Sequence, residues 1–402
     1  MLRTRRVSEL VSILAVAGLL AGCGSGATGS PSAAAPGTNE TPGGSASSAP
    51  AVIKVGISGS FSGATAFYGQ EAQKGAQIGA DELNAKGGAY TYQIVTADDE
   101  CTPDGGASAY GNLIDVSKVD VILGSPCSAA TLGGMPLAAQ GQVPNVVASS
   151  TSPTITQQAG VGGNQYVWRA NLGDGEMATV WSKYIADQGV TKIATLAVNN
   201  DYGRGAITAY KADFPQVGLQ VVAEQYYTQG GGDFRSQLTA ISGSGAQAML
   251  VVGAHQDAAV MMRQFKELGL TLKVFTRGDV VSTGFQDAAG DPNLGNGIQE
   301  ANNWDSTYSA YPDFESAYHA KYGGTAQSYA VQAWIGMQVI AQAVEAGGPG
   351  RAGIEAGLAK VDWNSPIGPI KFDDHHQAHP DMFILGFQDG KIVLIKRISA
   401  AS

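Results

Sequence analysis

The chain has 402 residues, with 24 Lys and Arg against 34 Asp and Glu, so its formal net charge at pH 7 is −10. This acidic balance argues against nucleic acid or an anionic lipid surface as a binding partner. About 350 residues follow a Gly- and Ser-rich segment that ends near residue 50, and a single hydrophobic core rarely serves so long a stretch. We therefore expect a body of two lobes.

The first 22 residues have the pattern of a secretory signal peptide, with three arginines ahead of a short apolar run, Val11–Leu20. That run is too short to cross a bilayer, which favours a cleaved signal over a membrane helix. The tetrapeptide Leu20-Ala21-Gly22-Cys23 resembles a bacterial lipobox. The resemblance implies that Cys23 becomes the lipidated first residue of an extracytoplasmic lipoprotein. An ordinary signal followed by an incidental cysteine is the alternative.

Residues 23–50 consist mainly of Gly, Ser, Ala, Thr and Pro, with one acid, Glu40, and no large apolar side chain. Such a segment buries too little surface to offset its ordering entropy, so we predict a flexible tether. It would hold the folded body away from the membrane. No later stretch reaches transmembrane length without interruption by charged residues or Gly.

Strands and helices alternate after the tether and predict a first α/β lobe with a parallel sheet. The predicted strands are Ile53–Ser58, Tyr92–Ala97, Val119–Leu123 and Val143–Ala148. The predicted helices are Glu71–Lys86 and Ala129–Gln140.

Two of these strands end in small hydroxyl residues. Ser125 and Ser128 follow the third strand, and Ser149 to Ser152 follow the fourth. Ligands of α/β sheets bind beyond the carboxyl ends of the strands. Hydroxyl groups and free backbone N–H groups at that edge suit a carboxylate, so we predict a site for an anion. A simple N-cap role for Ser128 and Thr151 is the alternative.

The alternation restarts near residue 168 and predicts a second lobe. Its predicted helices are Met177–Gln188, Ala206–Phe214, Arg235–Ser242 and Ala258–Leu268, and its strands are Lys192–Val198, Leu219–Tyr227, Ala248–Val252 and Leu272–Thr276, with a loop over Asn199–Gly205. From Gly297 the chain is expected to return to the first lobe. The remaining predicted elements are helices Asp313–Tyr322, Ser328–Glu345 and Gly353–Ala359 and a terminal strand pair, Phe383–Phe387 and Lys391–Lys396.

Two cysteines remain once Cys23 is assigned to the lipid, namely Cys101 and Cys127. An even number of cysteines in an exported chain favours a disulfide. Closing this loop would stabilise the fold by about 3.5 kcal/mol in the chain-entropy model. Two free thiols are the alternative.

Several short motifs occur in a fixed order along the chain. They are DDECTP at 98–103, GSPCSAAT at 124–131, SSTSP at 149–153, YGRG at 202–205, MRQFKELGL at 262–270 and AAGD at 288–291. In this order they resemble the branched-chain amino-acid binding proteins of ABC transporters, a family with the type I periplasmic binding fold. The resemblance covers residues 52–398. It implies an α/β fold of two Rossmann-like lobes with parallel sheets, joined by three hinge crossings, with ligand trapped between the lobes.

The resemblance also implies lobe boundaries and site residues. The first lobe would comprise residues 51–171 and 300–378, and the second residues 172–299 and 379–402. Ser128 and Thr151 match the hydroxyl residues that hold the ligand's α-carboxylate and ammonium, and Ser150 matches a position that lends backbone contacts. Tyr68 and Tyr202 match aromatic residues that reach the ligand from the first and second lobes. The two remaining cysteines match the family's disulfide pair.

Two positions depart from the family pattern. Where the family has one or two Tyr after the strand at 248–252, this chain has Ala254 and His255. In the family, the acid that pairs with the ligand ammonium lies in a Gly-rich turn. The corresponding acid here, Asp279, lies about one residue later in that turn than the family's acid does. We include His255 and Asp279 as candidate ligand contacts. With Arg277 nearby, they leave open a more polar ligand, such as an amide, urea or an acidic compound.

The resemblance implies a monomeric receptor that delivers a small amino acid, foremost of the branched-chain type, to the permease subunits of an ABC importer. Its contact with the membrane would be the lipid anchor alone. A sensory module of the same fold is one alternative. An exported lipoprotein hydrolase is another, and it would need a Ser–His pair in the cleft.

Enzyme motifs do not favour catalysis. The sequence has no G-x-x-x-x-G-K-[ST] phosphate loop, no H-E-x-x-H helix and no G-x-S-x-G turn. The run from His375 to His379 contains three histidines, but it lies in a polar stretch that matches the third inter-lobe crossing. We therefore predict no metal, no cofactor and no enzymatic activity.

Overall fold

The computed structural model describes residues 50–399, so the predicted signal peptide, Cys23 and all but the last residue of the tether lie outside the described residues. The first lobe contains a five-stranded parallel sheet in the order β2-β1-β3-β4-β5. In chain order its elements are β1 (Ala51–Gly59), α1 (Ala66–Ala85), β2 (Tyr90–Asp98), α2 (Pro103–Gly111), β3 (Val121–Leu123), α3 (Ser128–Gly141), β4 (Asn145–Val147), α4 (Pro153–Gln157) and β5 (Val167–Arg169).

The second lobe contains a seven-stranded sheet in the order β14-β13-β10-β9-β8-β6-β7. Its first part consists of α5 (Asp174–Asp187), β6 (Lys192–Val198), α6 (Asp201–Asp213), β7 (Gln220–Tyr227), α7 (Arg235–Ser242), β8 (Ala248–Val252), α8 (His255–Glu267), β9 (Lys273–Arg277), α9 (Thr283–Ala289) and β10 (Gln299–Asn302). The strands β6 to β10 are parallel to one another, as expected for strands joined by βαβ connections.

After β10 the chain returns to the first lobe and then ends in the second. The elements are α10 (Pro312–Tyr322), α11 (Ser328–Gly347), α12 (Gly350–Leu358), β11 (Asp362–Ser365), β12 (Gly368–Lys371), β13 (Met382–Gln388) and β14 (Lys391–Ile398). β13 pairs antiparallel with both β10 and β14. The prediction of a terminal hairpin is thus confirmed.

The helix α11 packs closely on α1 in the first lobe. A Cβ atom at Gly75 would lie 1.8 Å from the carbonyl oxygen of Ala330, so only glycine permits this approach. Most of α11 is buried, consistent with its largely apolar sequence. This packing fixes the first turn of α11 at the cleft between the lobes.

Arg169 at the end of β5 joins the first and third crossings. Its backbone pairs with Gln377, and its buried guanidinium donates to the Gln377 Oε1 atom at 2.5 Å and to the Ser152 carbonyl at 2.9 Å. Burial lowers the pKa of Arg169 to about 10, with partial compensation by Glu176 and other nearby acids. The crossings are therefore held together by a cation that stays charged at neutral pH.

The prediction of two α/β lobes is confirmed, but one predicted loop is wrong. Residues 201–205 belong to α6, because Asn200 caps the helix by accepting a hydrogen bond from the Gly203 N–H group at 3.0 Å. Gly203 is needed for packing, since a Cβ there would lie 1.9 Å from the Val198 carbonyl oxygen. In addition, β10 runs in the second sheet to Asn302, beyond the predicted lobe boundary at residue 299.

Candidate ligand-binding site

The helix α3 begins beyond the end of β3, at the edge of the first sheet. Cys127 is its N-cap, and Ser128, its first residue, is buried. The Ser128 Oγ atom accepts a hydrogen bond from the Ser152 N–H group at 3.3 Å, so its own proton can be donated elsewhere. The N-terminus of a helix favours a negative charge. Ser128 and the first turn of α3 can therefore hold a carboxylate.

The predicted disulfide is present next to this helix. Cys101 and Cys127 are bonded with their Cα atoms 5.3 Å apart. The loop before Cys101 is held by Asp99, whose carboxylate accepts hydrogen bonds from the Cys101 N–H group at 2.9 Å and from the Ser58 hydroxyl at 2.8 Å. The disulfide thus fixes the loop after β2 against the start of α3.

Two adjoining cavities lie between the lobes beside α3, with volumes of about 50 Å³ and about 60 Å³. The lining residues that they share are Pro126, Ser128, Tyr202, Gly278 and Tyr329. The cavity of about 50 Å³, which we call the aromatic cavity, is additionally lined by residues that include Tyr68, Ala129, Val198, Asn200, Gln229 and Ala254. The cavity of about 60 Å³, which we call the polar cavity, is additionally lined by residues that include Thr151, Arg277, Asp279, Asn302, Asn303, Ser328 and Gln332. A buried water needs about 10–15 Å³, so the pair has room for a small solute.

Ser150 and Thr151 follow β4 and have different surroundings. The Ser150 hydroxyl donates to the Ser125 carbonyl at 2.6 Å, which ties the loops after β3 and β4 together. The Thr151 hydroxyl donates to the Asp174 Oδ2 atom at 2.9 Å. Thr151 lines the polar cavity, whereas Ser150 lines neither cavity. Ser150 therefore lies outside both cavity walls, and the backbone contact that the resemblance implies stays a prediction.

Asp279 lies in a tight turn directly after β9. Gly278 and Asp279 have φ angles of 113° and 72°, in the left-handed region that few non-glycine residues adopt. Glu300 fixes this turn by accepting hydrogen bonds from the N–H groups of Val280 at 3.0 Å and Val281 at 2.6 Å. Burial and the nearby charge of Asp279 raise the pKa of Glu300 to about 7. The turn places Asp279 in the wall of the polar cavity.

The carboxylate of Asp279 is almost fully buried, with the residue 3% exposed. Neither of its oxygens accepts a hydrogen bond from any residue between 50 and 399. The Nδ1 atom of His255 lies 3.7 Å from its Oδ2 atom. A buried carboxylate with so little compensation strongly favours a cationic partner.

Arg277 and Asp174 form a buried ion pair behind Thr151. The Nη2 atom of Arg277 lies 3.3 Å from the Oδ1 atom of Asp174, and both residues are buried. Burial opposes the charge on Arg277, but Asp174 outweighs this effect, so the pKa of Arg277 is raised and the guanidinium stays charged. Thr151, Asp174 and Arg277 thus connect the first lobe, the first crossing and the second lobe.

Aromatic residues from both lobes enclose the aromatic cavity. The rings of Tyr68 and Tyr329 have centroids 4.8 Å apart. The Tyr68 hydroxyl accepts a hydrogen bond from the Gln229 Nε2 atom of the second lobe at 3.0 Å. The hydroxyl of Tyr202 has no hydrogen-bond partner within the described part of the chain, although Tyr202 lines both cavities. The two predicted tyrosines are therefore brought together at the cleft.

His255 lies behind the cavity walls rather than in them. It is the first residue of α8, which begins three residues before the predicted start at Ala258. Its ring meets the edge of the Phe67 ring at a centroid distance of 5.0 Å, and the residue is buried. His255 lines neither cavity. Its place beside Asp279 makes it a neighbour of the site.

Several lining residues were not predicted from the sequence. Ser328, Tyr329 and Gln332 come from the first turns of α11, and Asn302 and Asn303 come from the end of β10. The helix α11 was predicted, but its contact with the cleft follows from the packing of α11 on α1. β10 was not predicted, so the run Asn302-Asn303 could not be recognised as a strand end.

The histidines of the third crossing serve packing and ion pairing. His376 stacks on Trp168 with ring centroids 3.4 Å apart, and His379 forms ion pairs with Glu176 and Asp373. Within residues 50–399 no group of three or more His, Cys, Asp or Glu is placed to hold a metal ion. Over the same residues, no helix combines the length and apolar character needed to cross a membrane.

Comparisons with known proteins identify the family. Residues 52–391 match the family model described as periplasmic binding protein. The chain is 29% identical over 251 residues to the "amino acid binding protein" of Pseudomonas aeruginosa, covering 61% of this chain and 66%, just under two thirds, of that protein. It is 26% identical over 328 residues to the leucine-, isoleucine-, valine-, threonine- and alanine-binding protein of the same species, covering 80% and 86% of the two chains.

A solved structure agrees with these relatives. The branched-chain amino acid transporter substrate binding protein LivJ of Streptococcus pneumoniae, in complex with isoleucine, superimposes with a TM-score of 0.76 at 25% identity. The match covers 87% of this chain and 99% of that one. The chain therefore belongs to the periplasmic binding protein family, a family of extracytoplasmic solute-binding proteins.

Proposed function

We propose that the cleft binds one free amino acid. Its α-carboxylate would lie at Ser128 and the first turn of α3, and its α-ammonium would lie at Asp279. The observation that carries this proposal is the buried carboxylate of Asp279, which lines the same cavity as Ser128 and lacks a hydrogen-bond donor among residues 50–399. An ammonium would supply a charge-assisted hydrogen bond there.

Thermal-shift measurements with the 20 common amino acids test this proposal. We expect at least one of them to raise the Tm of the chain, because a ligand that binds only the folded state stabilises it. The names of the Pseudomonas aeruginosa relative and of the Streptococcus pneumoniae complex make leucine, isoleucine and valine the first compounds to test. An unchanged Tm with all 20 amino acids would contradict the proposal.

Ligand binding would close the two lobes around the three crossings. Closure removes water from the cleft, which strengthens the contacts to the ligand's charged groups. Support comes from hydrogen bonds that join the lobes at the cleft, including that between the Gln327 Nε2 atom and the Thr283 hydroxyl at 3.0 Å. The closed form would then be the one that the permease subunits recognise.

The lipid anchor and the role as a monomer are parts of the same proposal. Lipidation of Cys23 would tether the folded body to the cell membrane, where the permease lies. Replacing Cys23 by Ala should move the protein from the membrane fraction to the soluble fraction of an expressing cell. Retention of the Cys23→Ala variant in the membrane fraction would contradict a lipid anchor at this position.

We propose binding without catalysis. Between residues 50 and 398 no Ser or Thr hydroxyl is hydrogen-bonded to a histidine ring, so the Ser–His pair of a hydrolase has no counterpart in this stretch. Incubation with ester and amide substrates should give no turnover above the buffer rate. Turnover that is abolished by Ser128→Ala would instead support a hydrolase.

A further inference from the structure

Two buried amide side chains form a pair in the wall of the polar cavity. The Gln332 Nε2 atom of α11 donates to the Oδ1 atom of Asn303 at 2.9 Å. Asn303 and Gln332 are 2% and 8% exposed. Their remaining atoms, Asn303 Nδ2 and Gln332 Oε1, have no partner in the described part of the chain. If the nitrogen and oxygen positions of both amide groups are exchanged, the pair still keeps one free N–H donor and one free oxygen acceptor.

A ligand amide is the complement of this pair. Its carbonyl oxygen can accept from the free N–H group while its own N–H group donates to the free carbonyl oxygen. An aliphatic side chain would leave both atoms buried without partners, and sites built for hydrogen bonds reject ligands that cannot make them. The free Nδ2 atom of Asn302, in the same wall, adds a second donor for the carbonyl oxygen.

The charges around the polar cavity favour a neutral group over a second carboxylate. Arg277 is paired with Asp174 at 3.3 Å, and Asp279 would be paired with the α-ammonium of the ligand. The Nε and Nη2 atoms of Arg277 have no hydrogen-bond partner in the described part of the chain, so they can donate to the carbonyl oxygen of a ligand amide. A side-chain carboxylate would instead have to compete with Asp174 for this cation.

We propose that the ligand is an amino acid whose side chain ends in a neutral amide, either a carboxamide or a ureido group. Asn303 and Gln332 select it by reciprocal hydrogen bonds. This inference rests on the proposed function for the position of the α-amino and α-carboxylate groups. It adds a specificity-determining pair that distinguishes the ligand from a branched-chain amino acid.

Titration calorimetry on the purified full chain tests the pair with named probes. They are L-asparagine, L-glutamine, L-citrulline, L-leucine, L-aspartate and L-glutamate. L-leucine resembles L-asparagine in shape but lacks hydrogen-bonding atoms in its side chain. We expect at least one amide-bearing amino acid to bind at least ten-fold more tightly than L-leucine and than its own carboxylate analogue. L-leucine binding as tightly as all three amide probes would overturn the inference.

Two variants assign the preference to the pair. Gln332→Met keeps the side-chain volume and removes the hydrogen-bonding atoms, and it should reduce the ten-fold preference over L-leucine to less than about three-fold. Asn303→Leu should do the same and serves if Gln332→Met fails to fold. The matched control is Gln338→Met, which changes a Gln six residues later on α11 outside both cavities and should keep the full preference. An unchanged preference in both cleft variants would overturn the inference.

The outcomes separate this inference from the proposed function. Tight binding of leucine, isoleucine or valine with no binding of the amide probes would retain the proposed function and overturn the inference. Binding of acetamide or urea that is lost in Gln332→Met, with no amino acid bound, would support the amide-selecting pair and contradict the proposed function. Binding of an amide-bearing amino acid that is lost in Ser128→Ala and Gln332→Met would support both.

Discussion

Tyr68 of the first lobe and Gln229 of the second are joined by a hydrogen bond of 3.0 Å from the Gln229 Nε2 atom to the Tyr68 hydroxyl oxygen. Tyr68 lies near the start of α1, and Gln229 follows β7. Both residues line the aromatic cavity. This bond can exist only while the lobes are close, so it contributes to the stability of the closed form.

We expect Tyr68→Phe to weaken amino-acid binding by about 0.5–1.5 kcal/mol, the net value of one hydrogen bond. The ring remains to enclose the cavity, so the change isolates the inter-lobe bond. Titration calorimetry measures the loss. Gln229→Ala should show a similar loss, and the double variant should lose little more than either single variant, because both remove the same bond. Fully additive losses would contradict a shared contact.

Asp279→Asn should weaken binding of every amino acid by about 1.5–3 kcal/mol, because the ligand ammonium loses a charged acceptor. The Tm of the ligand-free chain should stay equal or rise, since the variant removes a buried and poorly compensated carboxylate. Calorimetry and thermal melts check the two effects separately. Unchanged affinity would show that the ammonium lies elsewhere in the cleft.

The sequence predicted the cleft residues that follow strands better than the cleft residues that α11 contributes. Ser128 and Thr151 were predicted from strand ends and from the resemblance, Tyr68 and Asp279 from the resemblance alone, and all four line the cavities. Ser128 and Thr151 follow from a local pattern, because a parallel strand brings the next residues to the sheet edge. Their roles toward the ligand stay predictions.

The contribution of α11 to the cleft depends on packing that no local sequence pattern encodes. Gln332 reaches the cavity only because Gly75 lets α11 approach α1, and these residues are 257 positions apart along the chain. His255 illustrates the converse, since a polar residue after a strand was expected at the ligand. It is instead turned against Phe67 by the helix that begins at this residue.

Removal of the disulfide should destabilise the chain and weaken binding together. The double variant Cys101→Ser/Cys127→Ser should lose up to about 3.5 kcal/mol of unfolding free energy in the chain-entropy model for a loop of this length. Affinity should also fall, since the disulfide fixes the loop after β2 against the start of α3, which lines the cleft. Urea unfolding with and without reductant checks the first effect. A reductant should lower the stability of the wild type and leave that of the double variant unchanged.

His379 should make stability depend on pH above neutrality. A hydrogen bond to Glu176 raises the pKa of His379 to about 9. Partial burial of the ring opposes this rise, and the nearby Asp373 adds to it. A folded-state pKa above the ordinary value of 6.5 gives a contribution to stability that is complete below pH 6.5 and is lost as the pH rises through about 9. The Tm difference between wild type and His379→Gln should shrink over this range.

The control for this titration is His375→Gln, which changes an exposed histidine four residues earlier. Its Tm should run parallel to that of the wild type at every pH. Glu300 is buried and has a raised pKa in both proteins, so its titration cancels in the comparison. A difference for His379→Gln that stays constant up to pH 9 would contradict the ion pairs at the third crossing.

A crystal structure of the chain with its tightest-binding amino acid tests the account most directly. We predict that the ligand lies between the lobes, with its carboxylate within hydrogen-bond distance of the Ser128 hydroxyl and its ammonium against the Asp279 carboxylate. A ligand bound outside the two cavities, or bound there with its charged groups away from both residues, would contradict the account.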